Sequence, residues 1–396
     1  MSWRRLMIAS LGSILYVLIG YPAGAMVLSR IFGRDRRFVG DDADLPGVTV
    51  IVAAYNEEAV IADRLENLLS IDYPPDRLTV IVAADGSDDR TAESARSFEP
   101  RGVRVLASGP RRGKAAAINR AINHVTTDVV VFSDANNHYE SEALIRLVTP
   151  FSDPRVGAVT GAKRVRASDS LTGAGEGLYW RYESLIKTAE SRLGSCVGVN
   201  GEILAVRSEL LDQLPEDIIN DDSYIAMQVL KAGSDVFYQP DAISWEHASE
   251  RAGDDRLRRE RIVAGRIQAL ARAPRIVPWR RPVVAWQIVS HKLLRPVIPV
   301  LAGVALVSTL ASLRDAARNR RLLLPATALI GQLVVYVAAW VGRHGARPGR
   351  FAKAAAYLVD SNRASLSGTI GYLRGRQNVL WAKAQRAADE RQTQAR

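Results

Sequence analysis

Asp134 and Asn136, with Ala135 between them, stand just beyond the apolar run Val129–Phe132. An acid and an amide at that spacing present hard oxygen atoms, which suits Mg²⁺ or Mn²⁺ when a ligand's phosphates fill the rest of the coordination shell. Similar residues follow two other apolar runs: Tyr55, Asn56 and Glu57 after VTVIVAA, and Asp85 with Gly86 after LTVIVAA. Gly86 lets the backbone approach a ligand closely there. Arg112, Gly113 and Lys114 open a helical stretch, so a cation and free amide groups meet at a helix start, a combination suited to a diphosphate. Asp221 and Asp222 lie side by side ahead of another helical stretch. One of two adjacent carboxylates can act as a general base, its pKa tuned by the other. Asp221 reads equally well as a helix cap, and Asp88 and Asp89 read better as caps than as ligands. His247, after Trp245 and Glu246, would complete a metal site or serve structure alone.

Elements of a particular kind must bring these residues together. The runs from Val48, Leu78, Val103 and Val129 are rich in β-formers and lack polar alternation, the pattern of strands buried on both faces. Helical stretches separate them, which predicts right-handed crossovers and a mostly parallel sheet. Ligands of such α/β sheets lie at the carboxyl ends of the strands, where the acids and amides fall. Neither GxGxxG nor GxxxxGK[ST] occurs at the expected place, so a dinucleotide fold and a P-loop are unsupported. A second half follows, with a strand over Ala158–Gly161 and a helix from Gly175 whose Tyr179, Trp180 and Tyr182 are expected in a core. A glycine-marked loop (Gly194, Gly198, Gly201) then leads to the strand ILAVR, and a helix runs from Ser223 to Lys231.

The chain has 396 residues, 47% apolar and 24% charged, with a net charge of +11. Such a basic balance points to nucleic acid, an anionic membrane surface or a phosphate-bearing ligand. Arg4, Arg5, Arg30, Arg34, Arg36 and Arg37 flank an apolar run, as in cytoplasmic loops of membrane proteins, and no basic stretch interleaves with aromatics. A membrane partner is therefore expected, and no nucleic acid. The single cysteine, Cys196, excludes an internal disulfide and a cysteine-built zinc site. Leu6–Ser29 is long enough to span a bilayer. The expected organisation is a membrane anchor over 1–38, a cytoplasmic α/β domain over 39–255, and amphipathic interfacial helices over 256–295. A transmembrane pair over 296–342 and an interfacial segment with a basic tail over 343–396 complete a multi-pass protein of the plasma membrane. The loop RDAARNRR breaks the positive-inside pattern, so the pair over 296–342 has a re-entrant hairpin as its alternative.

In order, the segments VIVAAYNEE, AADGSDDRTAE, RRGKAAAINRAI, VVFSDANNHY, VGAVTGAKR, GEGLYWRYE, NGEILAVRSELL, INDDSYIAMQVLKAG and RRERIVAG resemble the inverting family 2 glycosyltransferases of GT-A fold, especially the membrane-anchored bacterial enzymes of exopolysaccharide and cell-envelope synthesis. The resemblance covers Val48 to Leu270, and the closing LRGRQNVLWAKAQR shares it. It implies transfer of a sugar from a nucleotide-diphosphate donor, commonly a UDP-sugar, to a lipid-linked or glycan acceptor. It further implies that Asp85 and Tyr55–Glu57 hold the nucleoside, Lys114 lies near the base or diphosphate, and Asp134 with Asn136 matches the DxD metal motif. Asp222 aligns with the catalytic base, beside Asp221, and Arg258, Arg261 and Ile262 fall where processive members carry QxxRW. Asn136 replaces the second acid of DxD, while Arg258 and Ile262 replace the glutamine and tryptophan of QxxRW. These departures favour transfer of one or a few sugars over two alternatives: a processive synthase, or a decayed, membrane-tethered nucleotide-sugar-binding protein.

Overall fold

The computed structural model describes residues 2–36, 38, 45–166, 171–247, 252–319, 322–345 and 348–375. The chain begins with α1 (Trp3–Leu15), one π-helical turn (Tyr16–Gly20) and α2 (Tyr21–Ile31). The first half of the sheet follows as β1 (Val48–Ala54), α3 (Ile61–Leu69), β2 (Leu78–Asp85), α4 (Thr91–Arg96), β3 (Val103–Ser108), α5 (Lys114–Ile122) and β4 (Val129–Asp134). The second half comprises β5 (Asn137–Tyr139), α6 (Ala143–Val148), β6 (Val156–Arg166), α7 (Leu171–Arg192), β7 (Leu204–Arg207), α8 (Asp221–Lys231) and β8 (Asp235–His247). Then come α9 (Ala252–Ile276), α10 (Pro282–Gln287), a second π-helical segment (Ile288–Leu293), α11 (Ile298–Asn319), α12 (Leu323–His344) and α13 (Arg350–Leu373).

The strands form one eight-stranded sheet in the order β3-β2-β1-β4-β7-β6-β8-β5. β1 pairs in parallel with β2 and β4, and β2 with β3, so three strand ends reach one edge in register: Ala54 faces Ala84, and Ala53 faces Asp134. β7 runs antiparallel to both β4 and β6. The missing polar alternation has a direct cause. Val48, Val50, Val52 and Ala54 pack with Leu65, Leu68, Leu144 and Leu147 of α3 and α6. Ile51 and Ala53 pack on the opposite face with Ala117 and Ile118 of α5 and Ile225 and Leu230 of α8. Each fully buried aliphatic side chain contributes about 1.5–3 kcal/mol, so both faces reward apolar residues and no polar stripe survives.

Among the described residues, three stretches are long and apolar enough to cross a membrane: Trp3–Ile31, Pro282–Ala317 and Leu323–His344. The second begins before residue 296, because α10 and the π-helical segment continue into α11 through a short 3₁₀ turn at Arg295–Val297. Pro296 explains that irregularity, since its ring and missing N–H interrupt the helical ladder. Two acids of α7 fasten the sheet domain to these helices. Glu190, fully buried, takes His291 Nδ1 at 2.7 Å, the Val197 N–H at 3.1 Å and the Tyr21 hydroxyl. Glu183 takes His291 Nε2 at 3.0 Å and Arg295. Tyr182, expected in a core, packs against the cluster of Tyr21, Ala25, Ile186 and Ala189 and donates to the Leu18 carbonyl at 2.8 Å, within the first membrane stretch.

Candidate active site

The parallel register brings the end of β4 beside the start of α5. Gly113, at φ +102°, turns the chain into the helix, and Lys114 is its first residue. The Lys114 ammonium lies 2.9 Å from Asp134 Oδ1 and 3.4 Å from Asp221 Oδ2. Asp221 belongs to the first turn of α8 and spends its carboxylate on that ammonium. The preceding residue, Asn220, is the cap and makes no side-chain capping bond. Burial pushes the Asp134 carboxyl up, but Lys114, followed by Arg258 and Lys163, outweighs it and holds the group at about 2. Burial likewise opposes the Lys114 charge, and Asp134 and Asp221 together raise its pKa despite that.

Asp222 behaves in the opposite way. Burial and the neighbouring charge of Asp221 raise its carboxyl above the ordinary range, with Lys292 and Lys114 only partly opposing them. Its one hydrogen bond among the described residues is local, from the Ser223 N–H at 2.6 Å. Gly201 explains how a loop lies against it, because a Cβ there would sit 2.9 Å from the Asp222 Cβ.

The other acids of the lip are engaged in building it. Asp85, fully buried, accepts the Arg112 N–H at 2.9 Å and the Gly113 N–H at 2.8 Å, so its carboxylate sets the turn that aims Lys114. The loop holding Tyr55, Asn56 and Glu57 is tied to the loop after β2. Asn56, at φ +52°, donates its N–H to Ser87 Oγ at 3.1 Å and accepts the Asp88 N–H at 2.8 Å. The Glu57 N–H donates to Thr91 Oγ1 at 2.7 Å, and the Arg111 guanidinium lies 3.6 Å from the Tyr55 ring centre. Asp89 accepts the Thr91 N–H at 3.0 Å, in keeping with a capping role.

Asn136 and Arg258 converge on a residue to which no role had been given. Glu246 accepts the Asn136 amide at 2.9 Å, pairs with Arg258 at 3.3 Å and binds Lys163. Lys163, buried in β6, also faces Glu202 at 3.5 Å and lies 5.5 Å from the Trp180 ring centre. Lys163, Glu202 and Glu246 are thus additions to the site. Their signal was the charge in TGAKRVR, since a lysine within a buried strand requires a partner. Arg261 donates to the Ile219 carbonyl at 3.3 Å, and the Asn220 amide donates to that of Ile262 at 3.0 Å. α9 therefore crosses the approach to the Asp221–Asp222 pair. Trp245, Glu246 and His247 lie inside β8 rather than after it. The His247 side chain falls outside the described residues.

Among the described residues, no three His, Cys, Asp or Glu side chains converge as a self-sufficient metal cage. The donor set nevertheless fits a divalent cation that arrives with phosphates. Asp134 keeps 39% of its side-chain surface exposed, and the Asn136 amide nitrogen is spent on Glu246, which leaves its carbonyl oxygen as the donor. A positive group already rests between Asp134 and Asp221. Mg²⁺ and Mn²⁺ need only one or two carboxylates when phosphates complete the shell.

A family model described as glycosyltransferase-like family 2 matches residues 46–265. The poly-β-1,6-N-acetyl-D-glucosamine synthase of Staphylococcus epidermidis is 25% identical over 264 residues, covering 65% of this chain and 64% of that protein. The synthase of the same name from Staphylococcus aureus strain COL is 30% identical over 237 residues, covering 58% and 57%. The chain thus spans less than two thirds of the length of these relatives. Among solved structures, a mannosyltransferase from Pyrobaculum calidifontis in complex with GDP-Man and Mn²⁺ is 25% identical, at a TM-score of 0.72 over 95% of this chain and 99% of that one.

Proposed function

The chain belongs to the glycosyltransferase-like family 2, and on that premise we propose that it is a metal-dependent inverting glycosyltransferase of exopolysaccharide or cell-envelope synthesis, moving a sugar from a nucleotide-diphosphate donor to an acceptor hydroxyl at the cytoplasmic membrane face. One observation carries this reading: a cation held between two carboxylates, with a third, raised carboxyl beside them, at the carboxyl edge of a parallel sheet. Lys114 is placed to neutralise charge as a nucleoside diphosphate leaves. Asp134 and Asn136 would hold the divalent ion, which supplies further neutralisation of that charge when bound. The loop of Tyr55–Glu57, locked to the loop after β2, presents Tyr55 and Arg111 as a face for the nucleoside. Asp85 acts through the Arg112–Gly113 turn as a positioning residue.

Asp222 is the proposed base, and its raised pKa makes it a stronger proton acceptor once ionised. The acceptor hydroxyl gives its proton to the Asp222 carboxylate, and its oxygen forms the new bond to the anomeric carbon. The bond from that carbon to the diphosphate oxygen breaks, and its electron pair leaves with the nucleoside diphosphate. Attack from the opposite face inverts the anomeric centre. Arg258 and Arg261 are held by Glu246 and Ile219, and Ile262 offers no aromatic ring as a polymer platform, which favours one or a few transfers.

The test is nucleoside-diphosphate release from a panel of nucleotide sugars, including UDP- and GDP-sugars, with Mg²⁺ or Mn²⁺. Asp222→Asn should lose about 10²–10⁴-fold in turnover while donor affinity changes little. Wild-type turnover in that variant would remove the base assignment. A long product would replace the single-transfer reading with a processive one.

A further inference from the structure

The segment from Ser133 to Tyr139 is held at almost every polar side chain. The Arg64 guanidinium donates to Ser133 Oγ at 2.9 Å, and Ser133 Oγ donates to Asn137 Oδ1 at 3.2 Å. The Asn137 amide nitrogen donates to the Glu202 carbonyl at 2.8 Å and to Ser244 Oγ at 3.0 Å, and the Tyr139 hydroxyl donates to the same carbonyl at 2.7 Å. Asn137 thus spends both ends of its amide. Asn136 spends one: its nitrogen donates to Glu246 Oε1 at 2.9 Å, and its oxygen accepts nothing among the described residues.

Resting on the reading of Asp134 and Asn136 as holders of a divalent ion, we infer that Glu246 is a positioning residue for that ion: it fixes the Asn136 amide so that oxygen, not nitrogen, is left for the cation. The two ends of an amide are alike in shape, and the partners decide which end faces where. A carboxylate only accepts, so the end that meets Glu246 has to be the N–H. Glu246 is itself held still. Its other oxygen accepts Arg258 at 3.4 Å and Lys163, whose side chain is 2% exposed. Backbone pairing places it: β5 and β8 run antiparallel with Asn137 opposite Glu246, so register brings the acid beside the ion loop. A counter-ion for Lys163 alone is a poorer account. Glu202 already faces that ammonium at 3.5 Å, and a counter-ion needs no contact with Asn136. The arrangement also explains why an amide stands at 136. An aspartate there would set a second carboxylate against Glu246, where the amide now makes its 2.9 Å bond.

The test is Mn²⁺ binding to the full chain in neutral-detergent micelles, read from the free-Mn²⁺ EPR signal, alone and with UDP or GDP present. Glu246→Gln should weaken binding about tenfold. Lys163 and Arg258 would claim the single acceptor of the new amide, and its NH₂ would turn Asn136 round. Asn136→Ala should lose a similar factor, and the double variant should lose no more than either single one. Losses that multiply would mean that Glu246 acts on the ion through its charge, and would overturn the inference. Glu246→Asp keeps the charge and a partner for both cations, so it stands in should the glutamine variant misfold; its shorter reach should still weaken binding. Thermal denaturation shows which variants fold. Wild-type affinity in any of the three single variants would also overturn the inference. The two readings fail in different ways. A wild-type chain that takes up no Mn²⁺ under any condition removes the ion from Asp134 and Asn136 and takes the positioning role with it. Mn²⁺ uptake lost in Asp134→Ala but unchanged in Glu246→Gln sinks the positioning role alone.

Discussion

The two sides of the cleft differ in how completely the protein matches their polar groups. On the side of β1, β2 and β4, nearly every polar group is held by the protein itself: Asp85 by two backbone amides, Asn56 by Ser87 and Asp88, Glu57 by Thr91. On the side of α8, α9 and the membrane helices, Arg261, Gln268 and Arg272 are paired as well, but Asp222 keeps only a bond to its own neighbour, and Lys292 keeps none among the described residues. A side whose donors and acceptors are already matched needs no rearrangement to receive a ligand. A side with unmatched charge stores the drive for the chemical step, because those groups find partners only when substrate arrives.

This contrast can be broken or sharpened by substitution. The largest effect is expected from Lys114→Met, which removes the cation that joins the two sides. Loss of a preorganised charge at the leaving group should lower kcat/KM by about 10³-fold, read by nucleoside-diphosphate release. An effect below tenfold would detach Lys114 from the diphosphate.

Next comes a comparison of stabilities. Asp85→Ala leaves the buried Gly113 N–H and the part-buried Arg112 N–H unpaired and should cost about 3 kcal/mol, seen as a lower denaturation midpoint in detergent. Asp222→Ala should cost less than about 1 kcal/mol or even stabilise. The Asp222 carboxyl is raised in the folded chain, so its ionisation costs stability as pH climbs from the unfolded aspartate value near 3.9 through the folded one. The advantage of the alanine variant should therefore grow across that window. Equal costs for the two substitutions would erase the difference between the sides.

A smaller effect concerns pH. Activity requires ionised Asp222, so the acid limb of the rate profile should lie above the ordinary aspartate range. Burial sets most of that displacement and Asp221 adds to it, so Asp221→Asn should move the limb to lower pH. A limb that stays in place would mean that another group titrates. The smallest expected effect is Gly201→Ala. Its new Cβ, 2.9 Å from that of Asp222, should displace the carboxyl slightly and lower turnover about tenfold.

The side with matched groups was largely legible in the sequence, and the other was not. Four strands announced themselves as unbroken apolar runs, since burial on both faces leaves a local mark. Their carboxyl ends carry Asp85 and Asp134, with Lys114 one crossover away, so parallel register alone brings them together. Contacts between distant elements leave no such mark. Nothing local relates Lys163 to Glu246 across the β6–β8 pair, or His291 to Glu183 and Glu190 across 101 to 108 residues. β8 was also hard to delimit, because its pairing with β6 slips in register between Gly161 and Ala162. The aromatics of α7 illustrate the same limit. Their spacing suggested a core, and Tyr182 does pack in one, but that core is shared with Tyr21 and Ala25 of the first membrane stretch, and Trp180 faces Lys163 and Lys187.

The acids of α7 bear on how freely such a catalytic unit can be recombined with different anchors. Breaking one partner of a buried ion pair commonly costs 3–5 kcal/mol, and a chain cut back to its sheet domain would strand Glu183 and Glu190 together, without Tyr21, His291 or Arg295. The sheet and its helices therefore depend on each other for stability. A graft onto foreign membrane helices would succeed only where the new helices bring an imidazole and a guanidinium to the same depth.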